Sequence, residues 1–507
     1  MNRKARSIVV GTVLAALALT GCASGSGDPA GSASTEATDG TITWGWALPS
    51  TWDPVTSAVG NDSHALALVY DGLTEQTDKG DAAPGLAEKW EYNEAGDQIT
   101  FFLRDGLTFS DGTTLDAEAV KSSLLRGRDG ADSKIAAQLA VVTDITVQSP
   151  TEVTLVLDQP DYQIPLLLSG KTGQIVSPAA FTEDAAALAT QPVGAGPFIL
   201  DEYVPDSHAT LHKNPNYWNA DHITVENFVL KPTPDPSVIV AGLQSGQYNV
   251  VSIPASQVAS VEAAGFDVLK QEVLPVRVLD VNNSVAPFDN PKVTQAISYA
   301  INRQELIDVT NFGYGTPQWQ PFPTGYVAHS DALDDLYPYD PAKAKKLLAE
   351  AGYPNGVDVQ LSVYQTEPLA EQIQQQLNAV GIRTEIVVQT PGENNYITLK
   401  YPFVVDQFNA RQSPVQSLEV LFGQKGLMNL GKSTPADLPA AINAARALPL
   451  DDPAYPAAIQ KATEVAVTQM PNVFLFSVTR FFAHTDDVKG LKGYVDTWRF
   501  EDVTAGK

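Results

Sequence analysis

Cysteine is nearly absent from this chain of 507 residues, since Cys22 is the only one. No disulfide can therefore form within the chain, and a paired-cysteine metal or redox site is excluded. The six histidines are few and scattered. His208 and His212 are four residues apart, but they lie in a segment that alternates like a strand. We therefore expect no metal site and no cofactor.

Positive charge is scarce as well. Lys and Arg total 32 against 59 Asp and Glu, for a net charge of −27. A field of that sign repels phosphates and anionic headgroups, so we expect no nucleic-acid partner. Common catalytic signatures are missing, including the Gly-x-Ser-x-Gly elbow, the His-Glu-x-x-His motif and a phosphate-binding glycine loop. We therefore expect a protein that is not an enzyme, although its many carboxylates leave a glycosidase pair open.

The N-terminus, residues 1–21, has the pattern of a secretory signal peptide. A short basic segment precedes an apolar run from Ile8 to Leu19, and this run is too short for the roughly 20 residues of a membrane-spanning helix. Leu19-Thr20-Gly21-Cys22 then resembles a bacterial lipobox, in which the cysteine is lipidated and becomes the mature N-terminus. The alternative is a plain signal peptide followed by an incidental cysteine.

Small and polar residues without apolar periodicity fill the segment that follows, up to residue 40. Such a segment cannot bury enough apolar surface to offset the entropy of ordering it. We interpret residues 22–40 as a flexible, lipidated tether to the outer face of the cell membrane. The remaining chain is too long for one hydrophobic core and predicts at least two lobes.

The clearest secondary-structure pattern lies between residues 340 and 388. Asp340 and Pro341 predict a helix start, because the carboxylate caps free backbone N–H groups and proline suits the first turn. Residues 357–363 and 382–388 alternate as strands around a helical pattern over 369–380. A strand–helix–strand unit of this length predicts a parallel strand pair, and hence an α/β fold.

Other patterns predict mixed structure in the rest of the chain. Residues 61–72 and 291–308 show helical spacing of apolar residues. Residues 98–110 alternate on both sides of Asp105-Gly106, which predicts a hairpin. A strand pair is predicted over 145–147 and 153–157.

Eight short strings identify the chain as similar to the family 5 extracytoplasmic solute-binding proteins, the dipeptide- and oligopeptide-binding lipoproteins of ABC importers. They occur in family order from about residue 41 onward. They are Thr51-Trp-Asp-Pro54, Tyr70-Asp-Gly-Leu73, Pro84-Gly-Leu-Ala-Glu-Lys-Trp90, Phe101-Phe-Leu-Arg-Asp-Gly106 with Phe109-Ser-Asp-Gly112, Gly194-Ala-Gly-Pro-Phe198, Asn214-Pro-Asn-Tyr-Trp218, Phe288-Asp-Asn-Pro with Ala296-Ile-Ser-Tyr-Ala-Ile-Asn-Arg303, and Asp340-Pro-Ala-Lys through Ala351-Gly-Tyr353.

The resemblance implies a two-lobed, periplasmic-binding-protein-like α/β fold of type II, cluster C, with an extra subdomain inserted in the first lobe. Ligand is expected between the lobes, which close over it. The chain would cross between lobes near Leu274 and Val478. The resulting divisions are 41–72, 192–273 and 479–507 for the first lobe, 73–191 for the inserted subdomain, and 274–478 for the second lobe.

The resemblance also implies where a peptide's ammonium group would be held, namely by acids before a turn in the second lobe. In this chain Ala410 and Ser413 stand at those positions. Three interpretations remain open. Asp406 takes the role, or the ligand lacks a free ammonium or carries a carboxylate that Arg411 binds, or Arg411 is solvated and recognition lies elsewhere.

Aromatic and amide side chains complete the predicted ligand site. Trp44 and Trp46 share one face of the first strand, and Trp319 lies in an irregular segment; for each, core packing or loop structure is the alternative. Stacking by these aromatic rings, together with the amide side chains of Gln407, Asn409 and Gln412, would suit a neutral, polar ligand such as a sugar. The predicted ligand-binding set is Trp44, Trp46, Trp319, Asp406, Gln407, Phe408, Asn409, Arg411 and Gln412.

Together these features predict a monomeric lipoprotein that captures a solute, most simply a peptide, and passes it to the permease subunits of an ABC transporter. Alternative ligands are an oligosaccharide, a carboxylated small molecule or a nickel chelate. Alternative roles are an extracellular hydrolase and a surface chaperone or receptor. The membrane is expected to be a partner only through the lipid on Cys22.

Overall fold

The computed structural model describes residues 40–468 and 472–506. The signal peptide, Cys22 and nearly all of the tether lie outside the described residues, so the predictions made for them stay predictions.

The strands and helices of the described chain alternate in the order expected of a mixed α/β protein. The strands are β1 Thr41–Gly45, β2 Thr74–Gln76, β3 Ala82–Pro84, β4 Ala87–Tyr92, β5 Gln98–Leu103, β6 Val142–Ser149, β7 Glu152–Leu157, β8 Phe198–Val204, β9 His208–Lys213, β10 Asn227–Lys231, β11 Val250–Ile253, β12 Asp267–Val281, β13 Val357–Val363, β14 Ile382–Val388, β15 Phe403–Phe408, β16 Val473–His484, β17 Val488–Lys489 and β18 Thr504–Ala505. The α-helices are α1 Asp62–Leu66, α2 Ala117–Asp129, α3 Ala136–Leu139, α4 Ile164–Leu167, α5 Pro178–Asp184, α6 Ile239–Gln244, α7 Val258–Ala263, α8 Pro291–Ala300, α9 Arg303–Thr310, α10 Pro341–Glu350, α11 Pro368–Ala379, α12 Asn395–Thr398, α13 Pro414–Phe422, α14 Leu438–Arg446 and α15 Tyr455–Thr468.

One ten-stranded sheet runs through the molecule in the order β14-β13-β15-β12-β16-β11-β1-β10-β9-β8. Its two centre strands, β12 and β16, are antiparallel and are the longest in the sheet. We call the side with β11, β1, β10, β9 and β8 lobe I, and the side with β15, β13 and β14 lobe II. Both lobes therefore share the two centre strands.

The ladder between β12 and β16 breaks where one lobe gives way to the other. Its register shifts between Glu272 and Val276, a segment that contains Pro275. Proline cannot donate to a ladder, and a bulge bends and twists a strand locally. The predicted crossing points, Leu274 and Val478, lie inside these two strands. This irregular stretch therefore lies at the predicted crossing between the lobes.

A separate four-stranded sheet has the order β4-β5-β7-β6. In the sequence its strands fall between β1 and β8, which both belong to lobe I. Helix α2 packs on this sheet, and their buried side chains form a hydrophobic core of their own that includes Phe101, Val120 and Leu155. We call this unit, with the segment up to Lys171, the subdomain.

Local sequence signals are largely reproduced. Strands β13 and β14 pair in parallel around α11, which confirms the predicted strand–helix–strand unit. The Asp340 carboxylate accepts a hydrogen bond from the Lys343 N–H at 2.9 Å, which confirms the predicted helix cap. Strands β6 and β7 form the predicted antiparallel pair.

Three predicted elements were wrong in extent or in partner. The hairpin over 98–110 does not form, because β5 pairs on its two sides with β4 and β7, while Thr108 makes an isolated bridge with Thr114. The predicted helix over 61–72 is helical only across α1, after which turns lead to Tyr70. The pattern over 291–308 divides into α8 and α9, because Asn302 caps a new helix by accepting from the Glu305 N–H.

None of the helices in the described residues is both long enough and apolar enough to span a membrane.

Candidate functional site

Polar side chains join lobe II to lobe I and the subdomain. Gln412 of lobe II donates its amide N–H to the Asp496 carboxylate, which lies in the C-terminal segment that returns to lobe I, at 2.7 Å. The Gln163 Oε1 atom of the subdomain accepts from the Ser413 hydroxyl at 3.1 Å and from the Tyr455 hydroxyl at 3.2 Å. These contacts mark the seam along which the lobes meet.

An arginine reaches across the same seam. The main-chain carbonyl of Arg446 accepts from the Tyr162 N–H at 3.0 Å, and its Nε atom lies 3.6 Å from the Asp161 carboxylate. Its Nη2 atom donates to Glu419 at 2.5 Å. Burial raises the pKa of Asp161 to about 6, because the Arg446 charge, which lowers it, does not offset the loss of hydration.

Lobe II also makes a close approach to the end of the subdomain at Gly170. A side chain on Gly170 would place its Cβ only 2.4 Å from the Gln412 Nε2 atom. The backbone of Gly170 is extended, with φ −110°, so the lack of a side chain serves proximity and not an unusual backbone angle. Glycine here allows Gln412 to reach Asp496.

Arg411 precedes Gln412 and is held by the start of helix α13. Its N–H donates to the Ser417 hydroxyl at 2.8 Å, while Ser413 caps the helix by accepting from the Gln416 N–H at 3.3 Å. Ser413, which replaces one of the expected acids, therefore has two roles: it caps α13 and it bonds Gln163 across the seam. Burial lowers the pKa of Arg411, and the nearby Asp496 charge opposes this.

Arg480, on the centre strand β16, faces the same region from the junction of the lobes. Its guanidinium bonds the His64 Nε2 atom at 2.9 Å and lies 5.6 Å from the centre of the Trp46 ring. Burial, followed by the Arg480 charge, lowers the pKa of His64 well below its usual value, so this imidazole is neutral. Burial also lowers the pKa of Arg480, against the attraction of Asp496.

Lys171 adds a third cation, beside Gly170. Its ammonium donates to the Ser57 carbonyl at 2.8 Å and to the Ser57 hydroxyl at 3.1 Å. Burial lowers the pKa of Lys171; Asp62 raises it, and Arg411 lowers it further. We call Lys171, Arg411 and Arg480 the cationic cluster.

An open cavity lies further along the seam, between the subdomain and lobe II. It has a volume of about 610 Å³, and side chains from both units line it. That volume falls in the range of small-molecule sites. Its aromatic lining consists of Trp90, Tyr92, Tyr162, Tyr326 and Tyr455.

The structure brings some of the predicted site residues to the seam. Arg411 and Gln412 are there, and Trp46 reaches it through Arg480. Trp44 lies one layer deeper, fully buried and stacked on Trp46 with the ring centres 5.3 Å apart. Trp319 packs inside lobe II, with the Arg303 guanidinium 5.0 Å from its ring centre.

The remaining predicted residues lie along β15. The Asp406 carboxylate accepts from the Tyr364 hydroxyl at 3.0 Å and also from Tyr396. Phe408 is fully buried in the lobe II core. The half-buried Gln407 side chain donates to the exposed Asn409 side chain at 2.9 Å.

The half-buried Asp406 lies beside a buried acid, Asp280, within lobe II. The Tyr396 hydroxyl also lies 2.9 Å from the Asp280 carboxylate, which accepts from the Asn472 amide at 2.9 Å. Burial, and next the Asp406 charge, raises the pKa of Asp280 well above its usual value.

Sequence reasoning missed the seam residues that come from distant parts of the chain, namely Lys171, Arg480, Asp496, Gln163 and Tyr455. Arg480 interrupts the apolar run that follows Val473, and a lone charge in such a strand was the one available signal. Asp496 gives no local signal, since it lies in an irregular segment and meets Gln412 from 84 positions away.

Comparison with known proteins identifies the class of this protein. The family model of the bacterial extracellular solute-binding proteins, family 5 (middle), matches residues 81–427. This chain belongs to that family. The family predicted from the eight strings is therefore confirmed.

Curated family 5 relatives include the glutathione-binding protein GsiB of Escherichia coli K12, which is 33% identical over 318 residues. The match covers 61% of this chain, and the chain spans only 61% of the length of that relative. The similarity therefore does not extend over the whole of either protein.

Solved structures of the family share the fold over almost all of the chain. DppA from Helicobacter pylori, in complex with the peptide STSA, is 24% identical with a TM-score of 0.81 and covers 92% of this chain and 98% of its own. AgaA from A. tumefaciens R10, in complex with agropinic acid, is 24% identical with a TM-score of 0.79, covering 92% and 99%. The predicted periplasmic-binding-protein-like α/β fold is thus confirmed.

Proposed function

We propose that this protein captures a small solute between lobe I and lobe II and delivers it to an ABC importer. The observation that carries the proposal is the seam, where side-chain hydrogen bonds join lobe II to lobe I and to the subdomain, including Gln412 with Asp496 and Gln163 with Ser413. Because two long strands with an irregular ladder join the lobes, such contacts can form and break as the lobes close and open.

A ligand stabilises the closed arrangement only through contacts that it gains on closure. The seam offers such contacts from both sides, since Arg411 and Gln412 come from lobe II while Lys171 and Arg480 come from the subdomain and the shared strand. Family membership supports the same role. We therefore propose binding and release without chemical change, so that a solute is returned intact.

A peptide is the first ligand class to test, because similar proteins include one named for glutathione and one solved with a peptide. The acids expected to hold a peptide's ammonium are absent at Ala410 and Ser413, and Asp406 is occupied by Tyr364 and Tyr396. A ligand without a free ammonium therefore remains an alternative.

We further propose that the mature protein begins at Cys22, carries lipid there, and works as a monomer on the outer face of the cell membrane. The lipobox-like quartet before the polar segment supports this. Mass spectrometry of the mature N-terminus should find the lipid on Cys22, and a Cys22→Ser variant should leave the membrane fraction. An unmodified Cys22 in protein from its own host would refute the anchor.

The capture proposal is tested on protein purified from the cells that naturally make it. Native mass spectrometry should show one bound small molecule per chain, and its removal should increase the radius of gyration measured by X-ray scattering. A strain that lacks the protein should lose uptake of the released molecule. Consumption of that molecule by the purified protein would instead indicate a hydrolase.

A further inference from the structure

Three cations of the seam lie near one another, although the protein as a whole is acidic. The whole chain has a net charge of −27, yet three cations, Lys171, Arg411 and Arg480, come together where the lobes meet. Partly buried cations are stable only when negative charge lies nearby, so we ask which groups compensate these three.

Two carboxylates are close enough to offset the cluster. Asp62 faces Lys171, since both contact the Ser57 side chain, at 2.8 Å for Asp62 and 3.1 Å for Lys171. Asp496 faces both guanidiniums, but its closest contact is with the Gln412 amide at 2.7 Å. One acid is thus left for two arginines.

Among the arginines in the described residues, Arg411 is the one whose guanidinium makes neither an ion pair nor a hydrogen bond. In the described part of the chain, ion pairs with carboxylates are made by Arg126, Arg128, Arg277, Arg383, Arg446 and Arg499. Arg104 and Arg303 bond main-chain carbonyls, and Arg480 bonds His64. Within residues 40–468 and 472–506, the Arg411 guanidinium has no hydrogen-bond partner, whereas its main-chain N–H and carbonyl both bond the Ser417 hydroxyl.

A partly buried, unpaired guanidinium is costly because burial removes water without supplying a partner. Its planar set of donors matches the two oxygens of a carboxylate. An anion placed between Arg411 and Arg480 would contact lobe II and the junction strand at once, so it would stabilise the closed arrangement through both.

We propose that the solute is an organic acid or peptide whose carboxylate is bound by Arg411 of lobe II and Arg480 of the centre strand. This inference rests on the proposed capture function and specifies its ligand class. Phosphate would satisfy the same donors, so the experiment distinguishes a carboxylate ligand from a phosphate ligand. A neutral sugar or a purely cationic solute would leave the excess charge uncompensated.

The probe is a small-molecule extract of the host, fractionated on an anion exchanger, with thermal stabilisation of the full mature protein as the readout. We expect the stabilising fraction to be retained by the exchanger, to lose its effect after methyl esterification of carboxylates, and to keep it after phosphatase treatment. Stabilisation by an unretained fraction, or one abolished only by phosphatase, would overturn the proposal. If no fraction stabilises the protein, the capture function itself fails.

Variants then connect the effect to Arg411. Arg411→Gln should weaken binding of the retained fraction on the order of 30-fold or more, since the buried carboxylate of the ligand loses its charged partner. Arg411→Lys should recover part of that loss, because lysine keeps the positive charge but lacks the planar pair of N–H donors that matches a carboxylate. The control is Arg383→Gln, which removes the same charge from an exposed ion pair with Asp358 and should bind as the unchanged protein does. Equal binding by Arg411→Gln and Arg383→Gln would refute the assignment.

Discussion

Asp161 should make the stability of the protein decrease as the pH rises. Its pKa is raised from 3.8 to about 6 in the folded protein, first by burial and further by Glu419 and Asp158, against the attraction of Arg446 and of the Gln163 N–H. The folded state therefore binds this proton more tightly than the unfolded state. Its contribution is fully present below about pH 3.8 and is lost as the pH rises to about 6.

The magnitude follows from the size of the shift. A pKa difference of about two units corresponds to roughly 3 kcal/mol, since each unit is worth about 1.4 kcal/mol. Asp161 is 7% exposed, so solvent screening reduces this value little. Asp161→Asn keeps an oxygen that can accept from the Gln163 N–H, at 2.9 Å in the present structure, and Arg446 keeps Glu419. Above pH 6 the variant should therefore be more stable than the unchanged protein, by about 1–3 kcal/mol.

Urea unfolding of both proteins between pH 4 and pH 8 measures the effect. The difference in unfolding free energy should grow in favour of Asp161→Asn up to about pH 6 and then level off; comparing the two proteins cancels the other titrating groups. Asp129→Asn is a control with the opposite sign, because the hydrogen bond from Arg128 lowers the pKa of the exposed Asp129, so its stabilising effect is lost as the pH falls. A difference between Asp161→Asn and the unchanged protein that does not vary with pH would refute the reasoning.

Three further substitutions test the packing that positions the site. Gly170→Ala should weaken binding of the retained fraction roughly tenfold in calorimetry, since its Cβ would displace Gln412 from Asp496; unchanged affinity would contradict the tight approach. Trp44→Ala should lower the unfolding free energy by about 3–5 kcal/mol in urea titrations, because the ring is fully buried. Asp340→Ala should cost about 1 kcal/mol in the same assay through loss of the helix cap, and Asp340→Asn should restore most of it.

Features that depend on a few adjacent residues were predictable from the sequence. The cap at Asp340 and the strand–helix–strand unit over 357–388 each depend on a local pattern, which the structure reproduces. The hairpin over 98–110 was wrong for a physical reason: Asp105-Gly106 permits a turn, but the partner of β5 is chosen by burial against strands β4 and β7. Strand pairing is a non-local choice that an alternating pattern does not specify.

In the candidate site, too, the residues that a local sequence pattern indicates were predictable, whereas those supplied by distant segments were not. The absence of acids at Ala410 and Ser413 directed attention to Arg411, and the structure places that residue at the seam. The nearby acid in the sequence, Asp406, is instead engaged by Tyr364 and Tyr396 inside lobe II. Successive strand residues face opposite sides, so a position on β15 five residues from Arg411 need not share its surroundings.

The acid that does face Arg411 comes from the C-terminal segment, because the chain crosses between the lobes twice and returns past the seam. Asp496 is brought to Gln412 by β16, which carries the chain from lobe II back to lobe I. A cleft built this way draws one wall from each lobe and its floor from the strands that join them. Its net charge is therefore a sum over distant segments, so a chain with 27 excess acids can still bring Lys171, Arg411 and Arg480 to one seam.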